Sequence, residues 1–92
     1  MTVENTLDQR EKTYGSFKNH SVLSQNLKAV LINSPRYWTL KADQREALEM
    51  IQHKIARILN GNPDYTDSWH DIQGYAKLVE DRLVKESAST TE

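Results

Sequence analysis

Two pairs of carboxylates have the spacing that could do chemistry in this sequence. Glu46 and Glu49 stand three residues apart, and Asp67 and Asp71 stand four apart. On helices, each pair would share one face. Magnesium favours oxygen ligands and keeps several waters, so two such pairs could hold it. Lys54 and Arg57 would then contact phosphate oxygens. His70, whose ordinary pKa lies near neutrality, would carry a proton. Together these residues would suit metal-assisted hydrolysis of a nucleoside triphosphate to the monophosphate and pyrophosphate. The ordinary alternative is a solvated helix face, with Glu49, His53 and Arg57 one turn apart and the basic residues offsetting a helix C-terminus. His20, His53 and His70 lack the one-turn spacing of zinc ligands. The sequence shows no Gly-rich phosphate loop and no Gly-x-Ser-x-Gly elbow. It has no cysteine, which excludes disulfides, thiolate metal sites and a thiol nucleophile.

The elements that must position these groups read as helices. Thr6 to Thr13 forms a short helix capped by Asn5 or Thr6, and Gly15 is its stop. Tyr14 and Phe17 anchor the turn that follows. Leu23, Leu27, Val30 and Leu31 mark a helix from Asn19 or Ser21 to Asn33, ended by Ser34-Pro35. Asp43 followed by Glu46 resembles a capping box. Leu48, Ile51, Ile55, Ile58 and Leu59 then form an apolar stripe that closes at Asn60-Gly61. A last helix runs from Thr66 or Asp67 to about Lys85, with Trp69, Ile72, Ala76, Val79 and Leu83 at packing positions. The expected architecture is all-α: a small three- or four-helix bundle with a C-terminal antiparallel helical hairpin. Residues 1–86 make one domain, and 87–92 form a polar, disordered tail. Leu48, Ile51, Ile55, Ile58, Trp69, Ile72, Ala76 and Val79 are expected in one core. In such a hairpin the two acidic pairs lie about 20 Å apart at 1.5 Å per residue. Their convergence then requires helix offset or a second subunit.

The composition bounds the rest. Ninety-two residues make one domain with a marginal core, which favours self-association, most simply as a homodimer. Twelve basic against 13 acidic residues argue against a dedicated nucleic-acid binder. No apolar run spans a bilayer, and the polar stretch from Met1 to Arg10 lacks a signal-peptide core. A cytoplasmic location is expected. Gly74 and Leu78 are out of place on the non-core face of the last helix and suggest close approach of another helix or a ligand. With Tyr37, Trp38, Tyr65 and Tyr75 they form the candidate contact set, because aromatic side chains are enriched in binding hot spots. Trp38 and Tyr75 would equally serve to finish the core.

Several stretches resemble a family of small phage and prophage proteins of unknown function. They are Tyr14-Gly15-Ser16-Phe17, Arg45 to Ile51, Lys54 to Gly61, and the run Asp67-Ser68-Trp69-His70-Asp71-Ile72-Gln73-Gly74-Tyr75-Ala76. The resemblance covers about Arg10 to Leu83 and implies a phage or prophage origin, with the host cytoplasm as location and a host or phage protein as partner. A more distant similarity is to the MazG-like all-α nucleotide pyrophosphohydrolases. Glu46-x-x-Glu49 fits the first half of their magnesium motif. Asp67 and Asp71 depart from the second half, since Ser68 stands where an acid is expected. The reading is therefore a protein-binding module with no cofactor, or alternatively a magnesium-dependent pyrophosphohydrolase.

Overall fold

A computed structural model describes residues 2–90, and among these it is all-α. Four helices follow in order: α1 (Val3–Tyr14), α2 (Phe17–Ile32), α3 (Ala42–Asn60) and α4 (Thr66–Thr90), with a 3₁₀ turn at Tyr37–Thr39. Each start has a local cause. The Thr2 hydroxyl accepts the Asn5 N–H at 3.1 Å, which begins α1 at Val3, before the expected Thr6. Ser16 does the same for α2, accepting the Asn19 N–H at 3.1 Å. That cap draws Phe17 into the helix, where its ring is exposed rather than anchoring a turn. At the start of α3, Gln44 reaches back to accept the Lys41 N–H at 2.9 Å. Asp43 is not the cap, because its carboxylate is drawn across to α4. α4 extends through the polar segment from Ser87 to Thr90. Thr91 and Glu92, the end of the expected tail, lie outside the described residues.

The two interhelix junctions lock together through backbone. Gly15 adopts φ 79°, a conformation that L side chains rarely take. A Cβ there would strike the Asn60 backbone, and one at Gly61 would strike Thr13 and Tyr14. The Asn60 amide donates to the Tyr14 and Ser16 carbonyls, both at 2.9 Å. The Asn62 N–H donates to the Thr13 carbonyl at 2.7 Å. This clasp binds the α1–α2 corner to the end of α3.

α3 is the middle helix. Ser24 of α2 donates to Gln52 at 3.3 Å. Lys54 pairs with Asp71 of α4 at 3.0 Å. Gln52 and Lys54 are two residues apart, which is about 200° around a helix, so α2 and α4 flank α3 on opposite sides. Arg82 grips Asp43 with two bonds of 2.7 Å, confirming that α3 and α4 run antiparallel. The side chains buried at these seams are small or polar: Ser24, Ala47, Gln52, Lys54, Ala56 and Ser68.

The expected apolar core does not form within the chain. Leu48 is 39% exposed, Ile55 38% and Trp69 51%, and Ala76 is exposed as well. Ile51, Ile58, Ile72 and Val79 are only half-buried. Among the described residues no large side chain is fully buried. The reason is geometric: α2 and α4 occupy the two sides of α3, and the apolar stripe faces out between them.

Gly15→Ala should lower stability by about 1–3 kcal/mol from its backbone conformation alone, before any clash with Asn60 is added. Chemical denaturation at equilibrium measures this. A wild-type midpoint in the variant would show that the clasp is not closed in solution.

Candidate functional site

The three-helix layer has two unlike faces. On one, α3 presents Leu48, Ile55 and Leu59 between its two seams. α2 adds Val30 and α4 adds Trp69 and Leu83 on the same side. Exposures run from 38% at Ile55 to 67% at Val30. These side chains leave one side of the layer apolar. The chain exposes 7001 Å² in total. A monomeric globular protein of 10.7 kDa exposes about 5500 Å². The radius of gyration, 16.3 Å, likewise exceeds the ~12 Å of a compact chain this long.

On the opposite face lie Glu46, Glu49, His53 and Arg57; Glu46 is exposed, and the other three have partners. Glu49 accepts from the Tyr37 hydroxyl at 2.8 Å and pairs with Lys28 of α2 at 3.1 Å. The Tyr37 hydrogen bond and the Lys28 ammonium hold its carboxyl below the ordinary range. Asp43 is lowered in the same way, chiefly by the Arg82 guanidinium. His53 sits against His20 of α2, with ring centroids 4.6 Å apart. Desolvation, then His20, Arg57 and Lys54, push the His53 pKa down to about 4. Burial, then Arg57, lowers His20 too. Sequence reasoning missed this histidine pair, because 33 residues separate its members and no local spacing announces it.

The four carboxylates considered as metal ligands do not meet. Glu46 is exposed and Glu49 is engaged by Tyr37 and Lys28. Asp67 accepts from the Tyr65 hydroxyl at 3.0 Å, and Asp71 takes up Lys54. Lys54, considered for phosphate, is thus buried against an acid, while Arg57 stacks on the Tyr14 ring at 4.2 Å. Among the described residues no group of three His, Asp or Glu could hold a metal ion. His70 lies apart from the other histidines, in a shallow groove with Asp71, Gly74, Tyr75 and Leu78. A Cβ at Gly74 would meet nothing within 4 Å. Of the contact candidates, Tyr37 is buried inside the chain and Trp38 is 67% exposed. Tyr65 packs edge-on against Tyr14.

A family model, the domain of unknown function DUF6378, matches residues 2–83. The chain belongs to this family. No curated protein matches it, and no solved structure does. No helix among the described residues is long and apolar enough to cross a membrane.

Two outcomes follow from this geometry. A histidine with a depressed folded pKa binds fewer protons folded than unfolded, so its fold loses stability as pH falls from about 6.5 to His53's value of about 4. The charged groups around His53 are Arg57 and Lys54 on its own helix; Arg10 and Glu11 of α1 line the same cleft. The lowered carboxylates Asp43 and Glu49 lose their contribution only below the ordinary carboxylate range. Thermal melts between pH 6.5 and 5 should therefore fall in the native protein and fall less steeply in His53→Gln, where the lowered His20 remains. At Gly74, alanine should add about 0.5–1 kcal/mol of stability if the groove meets only water, whereas a loss would place a tightly packed neighbour there.

Proposed function

We propose that this chain is a protein-binding module that works as a homodimer, with a second copy covering the apolar face of α2, α3 and α4. The observation that carries this reading is the surplus of about 1500 Å² over a compact monomer, together with the apolar side chains exposed on one face of the layer. Standard interfaces bury about 800 Å² per partner and obligate homodimers more, with a more apolar core. The surplus matches the obligate class. C2 symmetry would set the α3 stripe of one copy against that of the other and give each its missing core. The opposite face and the Gly74–Leu78 groove would stay free for a host or phage protein, the partner implied by the phage resemblance. The magnesium-dependent pyrophosphohydrolase reading needs four carboxylates around one cation. Glu49, Asp67 and Asp71 each have a separate partner within the chain, which does not support it.

Sedimentation equilibrium at micromolar concentration should give twice 10.7 kDa. Ile55→Asp should convert the protein to a monomer with reduced helicity, whereas Leu78→Ser, on the far side of α4, should leave the mass unchanged. A native monomer at high-micromolar concentration would overturn the proposal.

A further inference from the structure

The polar side of the layer contains a cleft of about 540 Å³, formed where α1 leans over α2 and α3. That volume is within the ~300–1000 Å³ range of small-molecule sites. Leu7, Tyr14 and Phe17 make its apolar walls, and Leu7 and Phe17 are 59% and 81% exposed. Arg10 and Arg57 bring two cations to it against the single carboxylate of Glu11. Among the described residues neither arginine forms an ion pair. The Arg57 guanidinium carbon instead lies over the Tyr14 ring, 4.2 Å from its centroid. That arrangement fixes the guanidinium without using its in-plane N–H donors.

The histidine pair supplies an independent sign of a missing partner. His20 lines the cleft and is 6% exposed. Its Nδ1 is buried with no hydrogen-bond partner. A buried polar atom left unpaired is costly, and native structures keep few of them. In the tautomer that carries hydrogen on Nδ1, that N–H is an unused donor in the wall of the cleft.

We propose that this cleft binds a small organic anion with an apolar body: the anionic group meets Arg57 and Arg10 beside the His20 ring, and the body lies among Leu7, Tyr14 and Phe17. The site does not depend on the dimer. His53 and Arg57 are five and nine residues beyond Leu48, about 140° and 180° around α3, so the cleft stays open when the apolar face is covered.

The test is an NMR titration of the full chain, read on the imidazole resonances of His20 and His53. Benzoate carries both charge and ring, acetate only the charge, and benzyl alcohol only the ring; phenyl phosphate tests the other anionic group. At least one of the two aromatic anions should shift both histidines saturably, and acetate and benzyl alcohol should bind about tenfold more weakly or worse. The tighter of benzoate and phenyl phosphate identifies the anionic group as carboxylate or phosphate. Arg57→Gln should weaken that probe by about tenfold or more. Because Arg57 also contacts Tyr14, Phe17→Ala serves as a second variant at an exposed position. It should weaken the aromatic probes while leaving the melting temperature in place. The proposal is overturned if neither aromatic anion saturates by millimolar concentration, if benzyl alcohol binds equally well, or if both variants retain native affinity.

Discussion

The middle helix meets its neighbours through small and polar side chains, and that constraint governs the molecule. Ser24 and Ala56 are small and buried on the α2 side of α3. Gln52 and Lys54 are satisfied by a hydroxyl and a carboxylate from the flanking helices. Both sides of α3 are thereby occupied, with its large aliphatic residues Ile51 and Ile58 only half-buried. Leu48, Ile55 and Leu59 are left with water or another chain. Hydrophobic burial is the main force that folds small domains, and within one copy this chain leaves much of its apolar stripe outside that burial.

The second constraint is the backbone clasp. Gly15, Asn60 and Gly61 bring two chain corners closer than any side chain allows. α1 is held at its C-terminal end and leans over α2 and α3 from there. Its side chains Leu7, Arg10 and Tyr14 form one wall of the cleft while the rest of the helix touches little. The position of Arg57 follows from the same clasp, because the Tyr14 ring on which it stacks belongs to the corner itself. A cleft built on a glycine junction is as stiff as that junction.

Much of the fold was legible in the sequence. Gly15, Pro35 and Gly61 mark breaks where the helices do end, because glycine and proline act locally. The four helices, and the antiparallel pairing of the last two, follow from periodicity and a short loop. What periodicity does not carry is the identity of the neighbour. It groups Leu48, Ile55 and Leu59 on one face, but whether that face meets α4 or a second chain depends on contacts between distant residues. Asp43 shows the same limit at close range. Its position resembles a cap, yet a bidentate partner 39 residues away takes its carboxylate. The histidine pair left no trace for the same reason. The acidic pairs drew attention because their spacing is local, and spacing says nothing of the cations that arrive from other helices.

Those cations decide what the charged residues do. A buried ammonium is tolerated only with its counter-ion, and removing one partner strands the other. Lys54 and Asp71 therefore set the register of α4 on α3, and Asp43 with Arg82 fixes the same register 11 residues further along each helix. Lys28, Glu49 and Tyr37 tie α2 and the 3₁₀ turn to the first half of α3. Once these groups are engaged, the charges still open to a ligand on the polar side are concentrated where the clasp puts them, at Arg10 and Arg57. Of the acids that suggested a metal site, Glu49 and Asp71 are fasteners of the layer. The arginines beside two neutral histidines are its chemically available part.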